Sequence, residues 1–416
     1  MRRALKFLGL FVAAQLVLIG GFLLFVETDG IPHYRVEKVT FKADPTPERL
    51  ARGKKLVSTL CAGCHMDPTT QRMTGKHMAD APEQFGVIYS ANITGSRTKG
   101  IGTWTDSELA YLLRTGVRRD GQYLPPYMAK LPHISDEDLA SIIAFLRSDD
   151  RLVAAVDQDP PGVTRPSFLT KLLSHTVFKK LPYPDKPITA PPMSDRVAYG
   201  RYLVFGLDCY SCHSADFKTM NVAEPEKSEG YMGGGNTLLD LRRQPIRSAN
   251  LTRDDETGIG RWSERDFVAA LHTGFRPDRT PIRYPMVLIP DLSDEEAGAI
   301  YAYLRTVPPI RNAFERNLPP APPPATTTAS VKASADGKRL YERYGCIGCH
   351  GVDGVGIADL RQAHEHYPTR EALKTWIQDA QTLKPGTRMP SWRNIIQEQD
   401  YDPLIDHVLA LGKTKN

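Results

Sequence analysis

Cysteine is scarce in this 416-residue chain. There are six, and all fall in three copies of one pattern: Cys61-Ala-Gly-Cys64-His65, Cys209-Tyr-Ser-Cys212-His213 and Cys346-Ile-Gly-Cys349-His350. None is left for a disulfide framework or a solitary thiol nucleophile. Charge of one sign is also in short supply. The formal net charge of +5 is too small to argue for nucleic acid, and no such partner is expected. No kinase, nucleotide-binding or other output motif is visible, which ranks a sensor role last. The length suggests about three domains, and apolar content is ordinary enough for each to have a packed core.

The Cys-x-x-Cys-His spacing has a chemical reason. Two thiols bond to the two vinyl groups of one porphyrin, and the adjacent imidazole then sits beneath the iron as its proximal ligand. One copy alone could be a thioredoxin-type pair or half of a zinc site. Three copies that use every cysteine would oblige a zinc reading to recruit distant ligands three separate times. The pattern therefore predicts three covalently bound haem c groups. Cys61, Cys64 and His65 hold the first, Cys209, Cys212 and His213 the second, and Cys346, Cys349 and His350 the third.

One long apolar run lies near the start, from Phe7 to Val26, broken by Gln15 and preceded by Arg2, Arg3 and Lys6. It matches the ~20 residues that a helix needs to span a bilayer, and its basic end should stay in the cytoplasm. A cleaved signal peptide is the alternative. The run is longer than a usual signal core, and Phe25-Val26-Glu27-Thr28 is a poor cleavage site, so an uncleaved anchor is favoured. Either reading exports the rest of the chain, which suits haem attachment outside the cytoplasm.

After a polar, extended lead-in from Ile31 to Asp44, a duplication organises the chain. Asn92-Ile-Thr94, Trp104, Thr115-Gly116, Met128 and Ser135 recur 158 positions later as Asn250-Leu-Thr252, Trp262, Thr273-Gly274, Met286 and Ser293. The motif cysteines are 148 apart, so the second unit carries a ten-residue insertion around Ser214 to Asn236. Each unit ends in an amphipathic helix. Ser135 caps the stripe Leu139, Ile142, Ile143, Leu146, and Ser293 with Glu296 forms a capping box before Ala297, Ile300, Tyr301, Leu304. Thr105 with Glu108 is a further capping box. Nothing resembles a run of strands. A proline-rich strap with a short helical piece at Phe168 to Leu173 joins the two units. Pro319 to Pro324 followed by Ala325 to Thr328 reads as a semi-rigid spacer, with a boundary near Ser330. The third unit is built differently, with helices at Gly337 to Tyr344 and Tyr401 to Leu411, and the spacer suggests a mobile arm.

The sixth iron ligand decides the function class, because methionine sulfur closes the iron to substrate and an open position admits chemistry. Met128, Met286 and Met389 are the candidates. Each follows its motif at a distance, in a proline-bearing loop before the last helix. A methionine alone is more often a core gap-filler; recurrence at equivalent places favours ligation. Met73, His77, Met78, His133, Met220, Met232, His364 and His366 are rivals, and none recurs in the duplicate, which marks them as surface or supporting groups. His272 stands where the first unit has Arg114 and is not expected to ligate. Trp104 and Trp262 pack either on a haem edge or in the core. Asn92 and Asn250 bond either a propionate or a loop carbonyl.

Residues 45 to 412 resemble c-type cytochromes. Gly337-Lys-x-Leu-Tyr341, Cys346 to His350 and Met389-Pro390 resemble class I cytochrome c. The first two units resemble the haem domains of triheme cytochrome subunits from membrane-bound alcohol and gluconate-type dehydrogenases, through Asn-Ile/Leu-Thr, Thr257-Gly-Ile-Gly-x-Trp262, the Thr-Gly pairs and Ser-Asp-Glu. The resemblance implies an all-α fold: three cytochrome c-like haem domains in tandem behind an N-terminal transmembrane helix. The expected divisions are the anchor at 1–30, haem domains at 45–150, 194–308 and 331–416, the strap at 151–193 and the linker at 309–330. It also implies His65/Met128, His213/Met286 and His350/Met389 as axial pairs. The implied function is single-electron relay in a periplasmic respiratory chain, without a catalytic residue of its own. Redox protein partners, whether dehydrogenase, oxidase or reductase, would dock on haem domains on the periplasmic side of the bacterial inner membrane. Such subunits usually have a cleaved signal and attach near their C-terminus, so the expected N-terminal anchor is a departure. A multihaem peroxidase or reductase with one open haem is the alternative. Haem one is then the exception, because Met128 lacks the proline that directly precedes Met286.

Overall fold

The structure, a computed structural model, describes residues 2–240, 243–286, 288–314, 336–384, 387, 389–393 and 395–412. The proline spacer and the boundary near Ser330 lie outside the described residues. Helix α1 (Arg2–Asp29) carries the apolar run and is long and apolar enough to cross a membrane. The lead-in then runs extended over the first unit, where Tyr34 N–H donates to Gly121 O at 2.8 Å and Tyr123 N–H to Pro32 O at 3.0 Å.

The first unit is built from α2 (Pro47–Leu60), α3 (Asp106–Thr115) and α4 (Asp136–Leu146). The expected signals start these helices: Thr105 and Glu108 close a capping box on α3, and Ser135 caps α4. Gly116, at φ 78°, ends α3 in the left-handed conformation that glycine adopts without strain. Helix α2 crosses α4 almost backbone to backbone. A Cβ on Gly53 would lie 2.0 Å from the Ser141 carbonyl oxygen, so only glycine fits the crossing. After α5 (Phe168–Thr176) in the strap, the second unit repeats the scheme with α6 (Arg196–Gly206), α7 (Glu264–Thr273) and α8 (Asp294–Leu304). Gly200 meets the Ala299 carbonyl oxygen in the same way, at 1.9 Å. The third unit has α9 (Asp336–Arg343), α10 (Arg370–Leu383) and α11 (Tyr401–Leu411). A Cβ on its Gly337 would lie 2.3 Å from the Pro403 carbonyl oxygen. Close approach of a first and a last helix is thus common to all three units. Buried apolar side chains form a separate cluster in each, with Leu207 touching the first two.

Three expectations need correction. The chain is mostly helical, yet two short antiparallel pairs occur: β1 (Gly86–Val87) with β2 (Arg165–Pro166), and β3 (Thr237–Leu239) with β4 (Pro245–Arg247). The first arises because the strap folds back on the first unit and pairs its extended backbone there. Second, α10 has no counterpart among the expected helices, although Thr369 caps it and Leu373, Ile377 and Ala380 are buried at helical spacing. Third, the last unit is docked rather than held off as an arm. Phe275 meets Trp392 edge-on at 5.0 Å. Gln381 Nε2 donates to His272 O at 2.7 Å, and Thr69 Oγ1 donates to Asp359 Oδ2 at 3.1 Å.

The first two units are joined by buried charge. Arg52 makes a two-pronged pair with Asp138, both bonds 2.7 Å, and reaches Glu296 at 2.6 Å. Lys55 also pairs with Glu296. The Tyr202 hydroxyl donates to Asp138 Oδ2 at 2.5 Å.

Candidate haem sites

Each motif lies on a single helical turn, Ala62–His65, Cys209–His213 and Ile347–His350, directly after the first helix of its unit. That turn presents both thiols and the imidazole to one side. No disulfide joins any of the six cysteines. Burial pushes the Cys209 and Cys346 thiols up to about 12, and Cys212 and Cys349 up to about 11. They are therefore neutral sulfur in an apolar wall. Among the described residues no group of three His, Cys, Asp or Glu side chains is gathered as a metal site, so a zinc reading finds no ligand set there.

The histidines are oriented by main-chain carbonyls. His65 Nδ1 bonds Ala91 O at 2.8 Å, and His213 Nδ1 bonds Ala249 O at 2.8 Å. His350 Nδ1 faces Ala358 O at a longer 3.4 Å. A proton on Nδ1 directed at a carbonyl leaves the lone pair on Nε2, which is the arrangement of a metal-binding imidazole. Burial holds His65 and His350 below the ordinary imidazole range, hence neutral.

The carbonyls are held in turn by the repeated asparagines. Asn92 Oδ1 accepts from Thr94 N–H at 2.9 Å and Thr94 Oγ1 at 2.7 Å, and its Nδ2 donates to Val156 O and Gln158 O. Asn250 repeats this with Thr252, and its Nδ2 donates to Ile310 O at 2.7 Å. Of the two expected roles, the structure has the loop-carbonyl one. Ala91 and Ala249 were not singled out from sequence. Their signal was the shared Ser-Ala-Asn-x-Thr at 90–94 and 248–252.

Around the second motif lies a cavity of about 300 Å³, lined by Cys209, Cys212, His213, Trp262 and Met286, with Thr59 from the first unit in its wall. The thiols, the histidine and the candidate sulfur thus share one apolar space, a donor set that fits a haem. At the other two motifs, Cys61 and Met128 pack against the first core and Cys346 and Met389 against the third.

The rivals divide differently from expectation. Met73 and Met232 do recur in the duplicate, 159 positions apart. Ile93 N–H donates to Met73 O and Leu251 N–H to Met232 O, and both side chains are fully buried. Two residues on, Gly75 N–H bonds His65 O and Gly234 N–H bonds His213 O, which ties this segment to the histidine's own backbone. His133 Nε2 bonds Val222 O at 2.6 Å, while His77, His364 and His366 are exposed. Arg114 is buried against Leu131 O and Ile134 O and pairs with Asp136; His272 keeps the equivalent contact with Asp294 at 3.4 Å.

A side-chain hydrogen bond also links the second unit to the first. Tyr284 is buried and donates to Asp80 Oδ2 at 2.6 Å. Burial foremost, then Asp80, then the Cys64 and Cys349 thiols push its phenol up. The Cys212 thiol, raised mainly by burial, also feels Asp80 and Cys64.

Helical units with Cys-x-x-Cys-His turns and carbonyl-oriented imidazoles have the build expected of cytochrome c domains. Residues 50–149 match the cytochrome c family, and residues 332–408 match subunit III of cbb3-type cytochrome c oxidase. The chain is similar to cytochrome subunits of several dehydrogenases. It is 29% identical to the fructose dehydrogenase cytochrome subunit of Gluconobacter japonicus, over 76% of this chain and 68% of the relative. It is 30% identical to the cytochrome c subunit of the quinone alcohol dehydrogenase of Komagataeibacter europaeus, over 72% and 64%. It is 28% identical to the gluconate 2-dehydrogenase cytochrome c subunit of Pantoea cypripedii, over 72% and 68%. The chain spans about two thirds of the length of these relatives.

Proposed function

We propose that the chain is a triheme c-type cytochrome that relays single electrons between a membrane or periplasmic donor and an acceptor. Cys61 and Cys64, Cys209 and Cys212, and Cys346 and Cys349 hold the three haems. His65/Met128, His213/Met286 and His350/Met389 are the axial pairs. A bound haem c supplies a one-electron iron couple. The chain's residues do the rest. Carbonyls of Ala91, Ala249 and Ala358 fix the imidazoles, Met128, Met286 and Met389 would each supply a sulfur ligand, and the apolar walls would exclude water.

The observation that carries this reading is the apolar cavity that Cys209, Cys212, His213 and Met286 line together, because two thiols, an imidazole and a thioether sulfur in one space are the groups that a haem c requires. Division into haem domains at 45–150, 194–308 and 331–416 follows from the three motifs and three cores. The homologues support a dehydrogenase as donor, with an oxidase or reductase beyond. Helix α1 acts as a retained single-pass anchor in the bacterial inner membrane, with the haem units in the periplasm. Near-infrared magnetic circular dichroism of the oxidised full-length protein tests the ligation. Three His/Met signatures are expected, with no carbon monoxide uptake on reduction. A high-spin fraction that binds carbon monoxide would favour the peroxidase or reductase reading.

A further inference from the structure

Helix α5 is amphipathic with the wrong side out. The two fully buried residues of the helix are both hydroxyl-bearing: Thr170 and Ser174 are 1% and 0% exposed, while Thr176 at its end is exposed. Thr170 Oγ1 bonds Phe85 O at 2.8 Å and Ser174 Oγ bonds Thr170 O at 2.7 Å. The hydrocarbons face outward: Phe168 is 40% exposed, Leu169 39%, and Val177 at its end 63%. Leu172 lies on the same side by helical spacing. A water-facing surface helix has the reverse pattern.

The location supplies the reason. Helix α5 is fastened to the last turn of α1. Phe25 meets the His175 ring at 5.4 Å, Lys171 Nζ pairs with Glu27 Oε1 at 2.7 Å, and His175 Nε2 bonds Gly30 O at 3.1 Å. The apolar stretch of α1 begins at Leu5. A hydrocarbon core takes ~20 residues of helix, so the turn at Phe25 to Asp29 emerges at the outer boundary. An apolar helix face held at that depth meets the headgroup and acyl border rather than water. Lys179, just beyond the helix, is exposed and suits anionic headgroups.

We propose that α5 is an interfacial membrane helix, with Phe168, Leu169, Leu172 and Val177 set into the outer leaflet beside α1. This rests on α1 being a retained anchor. It also orients the protein, because the strap is bonded to the first unit, Leu181 N–H to Thr115 O and Asp136 N–H to Ile188 O. The first unit then faces the bilayer.

The test uses the full-length haem-loaded protein in nanodiscs of phosphatidylethanolamine and phosphatidylglycerol that carry a photoactivatable acyl chain. Adducts are mapped by peptide mass spectrometry. Adducts on the peptide containing 168–177 as well as on α1 are expected. In Phe168→Glu/Leu169→Glu the α5 adducts should fall at least about fivefold while α1 adducts persist. Val177→Glu, outside the helix proper, serves as a second variant, with the haem spectrum as the check on folding. Adducts on α1 alone in the unaltered chain would overturn the interfacial helix and leave the anchor standing. Adducts on neither would overturn both.

Discussion

The Tyr284 hydroxyl donates to Asp80 Oδ2 at 2.6 Å, across the boundary between the second unit and the first. The pair therefore ties the first unit to the second. Tyr284→Phe keeps the ring and removes the bond. A hydrogen bond to a charged group is worth about 1.5–3 kcal/mol, so denaturant unfolding should show a loss of that order. Haem content should not change, whereas the reduction potentials of more than one haem should shift. A shift confined to one haem would mean that the pair belongs to one site only.

The methionines give a countable prediction. Met286 shares its cavity with Cys209, Cys212 and His213. Met286→Ala should create one carbon monoxide site per chain in the reduced protein, and Met128→Ala and Met389→Ala one each. Met232→Ala, in the core segment tied to His213, should create none while costing about 2–5 kcal/mol of stability.

Asn250 supports the carbonyl stretch that fixes His213. Asn250→Ala would strand the Thr252 N–H and the Ile310 carbonyl in a buried loop, at about 1–3 kcal/mol. The measurable sign is a potential shift at the second haem with the first unmoved, and the converse for Asn92→Ala. Potentiometric titration resolves the two.

Arg52 bridges Asp138 and Glu296 with little exposure on either acid. Arg52→Ala leaves both carboxylates short of a partner and should cost about 3–5 kcal/mol. The pH dependence has a definite sign. Burial alone would raise Glu296, but the Lys55 bond, the Ser293 N–H and the charges of Lys55 and Arg52 hold it below the ordinary carboxylate range. Its contribution is therefore present above its unfolded pKa and is lost as pH falls through the lower folded value. In Arg52→Ala the acid transition should move to higher pH, as followed by circular dichroism.

Much of this was legible in the chain. The three motifs, the duplication from Asn92 onward, the caps at Thr105, Ser135 and Ser293, and the final helix at Tyr401 each rest on local chemistry or a repeat that a linear reading can follow. What escaped depends on tertiary contact. The Ala91 and Ala249 carbonyls act through the backbone, so their side chains carry no sign of the role. Met73 and Met232 were hidden because the register between copies changes from 159 to 158 before Asn250. The docking of the third unit depends on single contacts such as Phe275 with Trp392, which no local pattern announces. The strand pair between Gly86 and Pro166 needs a strap that folds back on the first unit.

The most direct measurement is the intact mass of the full-length protein after denaturation and removal of loose ligands, together with its iron content. Three irons per chain and a mass excess of three covalently attached haems are expected. A chain at its bare polypeptide mass, or one with fewer than three haems at full occupancy, would contradict the account.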